Sequence, residues 1–233
     1  MGLTLHVEIA SPRAAAKDIT VAILLHGRGS DEADLAGLGP ALPDDWALIL
    51  PRAPFPGSAW GYGGGWAWYR YLGGTRPDPD SYARSLAAVA GLLDDVPQIL
   101  GRSPARVLLG GFSQGGTVSL GYALAANAGR VPAGNAERTD APRVRYLASL
   151  SGFLPDHSRV QVAPATVAGT RFFWAHGRRD PATPFPVAAD GRAALLAAGA
   201  DLVINDFDGG HWIDPASISA MVDWMRDASH DVG

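Results

Sequence analysis

The sequence predicts an α/β fold: a mostly parallel sheet with helices on both faces. Three observations carry this. Short β-branched apolar runs such as "ITVAILL" (19–25) alternate along the chain with segments of helical period such as 80–100. The run 19–25 is continuously apolar, as a strand buried on both faces is. Finally, "GGFSQGG" (110–116) joins one such run to a following helical segment through a turn crowded with glycine.

The elements follow in chain order. "LTLHVEI" (3–9) alternates in polarity and reads as an edge strand. After strand 19–25, segment 31–42 places Leu35, Leu38 and Leu42 on one helical face, with Asp31 and Asp34 suited to a helix start. "WALILP" (46–51) is the next strand. Residues 53–79, rich in Gly, Pro and aromatics, form a long loop of the kind that is often functional. Leu86, Val89, Leu93 and Val96 then mark a helix over 80–100. Strand "RVLLGGF" (106–112) leads through the serine turn into helix 114–128. The polar stretch 129–143 is a second loop. Strands 144–152, 171–177 and 200–207 follow, with helices over 185–199 and 215–228. No repeat, linker or second domain interrupts this order, so residues 1–233 are expected to form a single domain.

Composition narrows the function. With 47% hydrophobic and 18% charged residues in 233, the chain can bury a core without staples and is not of the disordered class. A formal net charge of −4 offers no electrostatic basis for binding nucleic acid or an anionic membrane. Cysteine is absent, which excludes disulfides, thiolate metal sites and a cysteine nucleophile. The N-terminus has no basic start followed by an apolar block, and no apolar run approaches the ~18 residues that span a bilayer. A cytoplasmic protein without stable membrane insertion is therefore expected, as a monomer or a homodimer.

"Gly111-Phe112-Ser113-Gln114-Gly115" has the form G-x-S-x-G. Where a helix begins at once after a parallel strand, the residue at the junction takes a strained backbone conformation. Glycines two before and two after remove the Cβ atoms that would collide there. Ser113 would then stand at the carboxyl edge of the sheet as a nucleophile. A serine needs a base, and the base an orienting acid. Of the six histidines, His6 lies on the expected edge strand, His157 in a polar loop and His230 in the tail. His26 and His176 each follow a strand directly and read as structural. His211, in "DGGHW", follows the last strand on a glycine-flexible loop, where a general base belongs. Asp180, in "HGRRDP", follows strand 171–177 and is the expected acid. Asp206 and Asp208 are rivals that stand too close to His211 in sequence. The order Ser113, Asp180, His211 is that of an α/β-hydrolase. Backbone N–H groups of Gln114, after the nucleophile, and of Arg28, in "LLHGRGSDE", are the expected oxyanion donors. The latter stretch lacks the G-K-[ST] ending of a phosphate-binding loop.

Taken in order, "LLHGRGSDEADL", "GFSQGG", "HGRRDPATPF" and "DGGHW" resemble the phospholipase/carboxylesterase family of α/β-hydrolases, which includes acyl-protein thioesterases and small bacterial carboxylesterases. The resemblance covers about residues 20–226. It implies a Ser113–Asp180–His211 triad, oxyanion donors at Arg28 and Gln114, and neither metal nor cofactor. The implied activity is hydrolysis of small to medium acyl esters, with a thioesterase or lysophospholipase-type deacylase as the alternative. A catalytically silent binding protein on the same fold is a reading from another class, opposed by the intact Ser, Asp and His. A dienelactone-type hydrolase usually carries cysteine, which is absent. A carbon–carbon hydrolase usually has a large cap, for which the roughly 20 residues after 152 are too few. The chain departs from the family at Arg28, where an apolar residue is common. That side chain is expected either to pair with Asp31, Glu32 or Asp34 or to meet an anionic substrate. The unusually aromatic stretch "AWGYGGGWAWYR" makes Trp60, Tyr62, Trp66, Trp68 and Tyr69 candidates for lining an acyl or alcohol groove.

Overall fold

Strands β1 (Val7–Ala10), β2 (Thr20–Leu25), β3 (Trp46–Pro51), β4 (Arg106–Phe112), β5 (Tyr146–Leu150), β6 (Arg171–Gly177) and β7 (Asp201–Phe207) build one sheet in the computed structural model, which describes residues 5–10 and 18–227. Their order is β1-β3-β2-β4-β5-β6-β7. β1 pairs antiparallel with β3 at one edge, as its alternating polarity requires, and the other six strands run parallel. Residues 3 and 4 of the expected first strand, and His230, lie outside the described residues.

The continuously apolar runs are explained by what covers the sheet. In β2, Val21, Ile23 and Leu25 face one core together with α1 (Pro79–Leu100), α2 (Gln114–Asn127) and α4 (Phe185–Ala197). Ala22 and Leu24 face the other core, closed by Ile218, Met221, Val222 and Trp224 of α5 (Pro215–Asp227). Successive strand residues point to opposite faces, so covering both faces forces every position to be apolar. α1 starts on the Asp78 carboxylate, which accepts the Ser81 N–H, has Pro79 in its first turn, and stops at Gly101 in the left-handed conformation (φ 68°).

Segment 31–42 is the one expected helix that does not form. Turns lead into a 3-10 helix at Ala36–Ala41 instead. Gly37, Gly39 and Pro40 are the physical reason: two residues of high backbone entropy and one without an N–H leave too little to propagate an α-helix. Leu35 is nonetheless buried in the second core, so the apolar spacing marked a buried face correctly. Loop 129–143 contains a hairpin, Val131–Ala133 with Ala136–Arg138, held to α1 by Arg138 on Asp94. Between β5 and β6 the helix α3 is a single turn, Pro164–Val167. No described helix is long and apolar enough to cross a membrane.

Burial also sets a pH dependence. Removal from water holds the imidazoles of His26 and His176 below the ordinary histidine value of 6.5. Both rings are almost wholly inaccessible. The unfolded chain takes up these protons as pH falls below 6.5, and the folded chain does so only at lower pH. Folding stability is therefore full above 6.5 and is lost as pH falls from there toward the folded values. Urea unfolding followed between about pH 8 and pH 5 should show this decline, with a shallower slope in His176→Asn. A slope unchanged by that substitution would remove His176 from the account.

Candidate active site

The turn between β4 and α2 places Ser113 at φ 54°, ψ −115°, one of two non-glycine residues described with positive φ. Its glycines are there for close approach. A Cβ on Gly115 would run into the carbonyl oxygens of Leu25 and His26, and one on Gly111 would meet the Leu25 carbonyl and the backbone of Gly115. The first turn of α2 thus sits directly on the end of β2, and only glycine permits it. Ser113 N–H donates to the Leu150 carbonyl (2.8 Å), which ties the turn to β5.

The three side chains that lie far apart in sequence meet here. His211 Nε2 is 2.8 Å from Ser113 Oγ, and His211 Nδ1 is 2.7 Å from Asp180 Oδ2. With its proton on Nδ1, the ring donates to the carboxylate and accepts from the serine hydroxyl. Asp180 is buried, and its Oδ1 accepts the N–H groups of Ala182 and Thr183 at 2.8 Å each. The loops that carry the acid and the histidine lock together. Arg179 N–H donates to the Gly209 carbonyl (2.8 Å), and a Cβ on Gly177 would strike the Gly209 and Gly210 carbonyls. The Phe112 ring packs against the imidazole, centroids 4.9 Å apart. The rival carboxylates are engaged elsewhere: Asp206 binds Arg192 (2.6 Å) and Arg178 (3.4 Å), and Asp208 binds Arg179 (3.2 Å). His176 and His26 are both in the core.

The loop after β2 comes up beside the serine: a Cβ on Gly27 would lie 3.7 Å from Ser113 Cβ. Among the described residues, neither the Arg28 N–H nor the Gln114 N–H donates to another protein atom. Two unspent donors beside the Ser113 hydroxyl form the arrangement that an oxyanion site requires. The shape of this loop depends on His26. Its Nδ1–H reaches the Gly27 carbonyl (2.7 Å) and its Nε2 accepts the Ala53 N–H (3.0 Å).

The aromatic stretch serves a different purpose from the one expected. Trp68 and Tyr69 are wholly buried and cannot line a groove. Trp68 Nε1–H donates to the His26 carbonyl (3.0 Å), while the Gln114 side chain accepts the Trp68 N–H (2.7 Å) and donates to the Tyr69 carbonyl (2.8 Å). Trp60, Tyr62 and Trp66 are half-buried, and none of them reaches the cleft around Ser113. Gly29 N–H donates to the Trp66 carbonyl and Trp66 N–H to the Ser30 carbonyl, and a Cβ on Gly65 would overlap Gly29. Within "GGGW", Gly65 is required by this close approach to the loop 27–30, and Gly63 has a positive φ (91°). The stretch is a brace for that loop.

The cleft itself has a volume of about 730 Å³ and opens over Ser113 and His211. Tyr71, Phe112, Phe153, Pro184 and Val187 give it an apolar side, and Arg28, Ser30 and Asp34 a polar one. Phe112 and Phe153 follow the rule that ligands of parallel sheets sit beyond the carboxyl ends of the strands, and could have been found by it. The Gln114 clamp had no signal in the sequence, because its partners lie about 45 residues away.

Comparison with known proteins agrees with this architecture. The phospholipase/carboxylesterase family model matches residues 5–228. The chain belongs to that family. Zea mays acyl-protein thioesterase 2 has 23% identity and a TM-score of 0.77, with 95% of this chain and 98% of the other covered. A carboxylesterase from Mesorhizobium loti has 21% identity and a TM-score of 0.75, covering 95% and 94%. A phospholipase/carboxylesterase from Dyadobacter fermentans has 19% identity and a TM-score of 0.66, covering 96% and 97%. At these identities the solved structures establish the α/β-hydrolase fold. None of the curated proteins compared matches the chain. Membership of the family supports hydrolase activity of the esterase or thioesterase kind.

Proposed function

We propose that this phospholipase/carboxylesterase family member is a serine carboxylesterase acting on small to medium acyl esters. The observation that carries the reading is the unbroken line Ser113 Oγ–His211–Asp180, at 2.8 and 2.7 Å, opening into a half-apolar cleft beside two unspent backbone donors.

His211 Nε2 takes the Ser113 proton as Oγ attacks the ester carbonyl carbon. The carbonyl oxygen becomes an oxyanion held by the Arg28 and Gln114 N–H groups. Collapse breaks the carbon–oxygen bond to the alcohol, which leaves with the proton carried by His211. A water molecule then gives its proton to His211 and attacks the acyl-enzyme. The second tetrahedral species expels Ser113, which regains that proton. Asp180, held by two backbone N–H groups, keeps the imidazole in the tautomer this cycle needs. Ser113 has a strained backbone, so its hydroxyl is aimed into the cleft without rearrangement. The family match over 5–228 supports one catalytic domain across the chain.

A fluorophosphonate probe should label the protein at Ser113. A panel of p-nitrophenyl esters from acetate to palmitate should be cleaved, with a preference for the shorter half. An acyl thioester run alongside separates esterase from thioesterase. An unlabelled protein that cleaves none of these would end the proposal.

A further inference from the structure

The Arg28 side chain is exposed, lines the same cleft as Ser113 and His211, and has no ion pair among the described residues. Glu32 is committed to Arg52, which approaches both of its oxygens, and also lies 3.5 Å from His6 Nε2. Asp31 accepts the Ala33 N–H (3.0 Å). Asp34 faces the cleft without reaching Arg28 to within ion-pair distance. Pairing with a nearby carboxylate is thus not how this cation is held.

It is held by rings. The guanidinium carbon lies 4.8 Å from the centroid of Tyr62 and 5.2 Å from that of Tyr71. Those two side chains are themselves fixed: the Tyr62 hydroxyl accepts the Tyr71 N–H at 2.8 Å, and the two rings meet edge to face. Ring contacts position a guanidinium without neutralising it. Arg52, Arg178 and Arg192 also lie over aromatic rings, and each also binds a carboxylate. Among the described residues, Arg84 and Arg145 lie over rings without one, but neither lines the cleft. Of these ring-held arginines, Arg28 is the one that lines the cleft beside Ser113, and it does so without a carboxylate partner among the described residues.

We infer that Arg28 supplies the cation for a carboxylate on the substrate, so that the preferred esters bear a free carboxylate near the scissile bond, on the acyl or the alcohol portion. This rests on the serine-esterase reading above and names its substrate class. The planar fork of N–H donors suits a carboxylate, and Ser30 on the same wall can add a hydroxyl. Asp34, on that wall too, opposes the anion and sets a limit on the preference.

The test compares two matched pairs of substrates. Monoethyl adipate and ethyl hexanoate differ by a carboxylate on the acyl portion. 4-Acetoxybenzoate and phenyl acetate differ by one on the alcohol portion. The quantity read is the ratio of kcat/KM for the anionic ester to that for its neutral partner. The neutral ester is the internal reference whatever its absolute rate, because every variant keeps the backbone N–H. In at least one pair, Arg28→Gln should lower the ratio about tenfold or more, the scale of a charge-assisted hydrogen bond. Arg28→Lys should recover part of the loss, Asp34→Asn should raise the ratio, and added salt should shrink the difference between wild type and Arg28→Gln. The pair that responds tells which portion of the ester carries the anion. Ratios unchanged by Arg28→Gln in both pairs, with neutral esters still cleaved, overturn this inference and leave the esterase reading standing. A wild type that cleaves neither pair and resists the fluorophosphonate overturns both.

Discussion

Ser113→Ala is expected to lower kcat on a reactive aryl ester by about 10⁴- to 10⁶-fold, the scale seen when a triad nucleophile is removed. His211→Ala should cost a comparable factor, and the double variant little more than either single one. In the proposed mechanism the Ser113 hydroxyl gains its nucleophilicity through the 2.8 Å contact with His211 Nε2, so removing either end should remove the whole effect. What remains should be the contribution of the Arg28 and Gln114 donors and of binding. Stopped-assay kinetics with active-site titration checks the result. Additive losses in the double variant would mean that the two residues do not act as a unit, and wild-type turnover in Ser113→Ala would end the proposed mechanism.

Asp180→Asn is expected to lower kcat by about 10⁴-fold, by analogy with the same change in other triads. Asp180 Oδ1 accepts the Ala182 and Thr183 N–H groups, and Oδ2 faces His211 Nδ1 at 2.7 Å. An asparagine keeps its oxygen on the two backbone donors and turns its NH₂ toward the imidazole. That NH₂ can only donate, so Nδ1 becomes the acceptor and the proton moves to Nε2, where the serine proton has to go. The fold should survive, since the polar contacts of Oδ1 are retained. Asp206→Asn is the control. Its carboxylate faces the buried Arg192 and the exposed Arg178, not His211, so it should lose stability while kcat holds. If Asp206→Asn were the change that abolished turnover, the acid would be misassigned.

Much of this was written in short stretches of sequence. The alternation of apolar runs with helical periods determined the α/β class, because each pattern is local and each face of the sheet has to be covered. The glycines at 111 and 115 announced the serine turn, because a backbone clash two residues away leaves no choice of side chain. Asp180 and His211 were legible from their places just past the ends of strands, where a parallel sheet gathers its loops. Segment 31–42 misled because apolar spacing reports a buried face, whereas Gly37, Gly39 and Pro40 decide whether the backbone can be an α-helix.

What only the tertiary structure decided is which distant segments meet. Trp68 and Tyr69 are indistinguishable by composition from groove-lining aromatics. They became core because the Gln114 side chain, at the start of α2, and the His26 carbonyl, in the loop after β2, satisfy their backbone and indole groups. Phe153 took a place in the cleft from the loop after β5. Arg28 had three acidic neighbours in sequence and found rings instead, because Arg52 from the end of β3 had already engaged Glu32. Local patterns record the conformation a segment can adopt. The partner a side chain finds depends on the competition among segments brought together by the fold, and that competition is settled only when the loops close over the sheet.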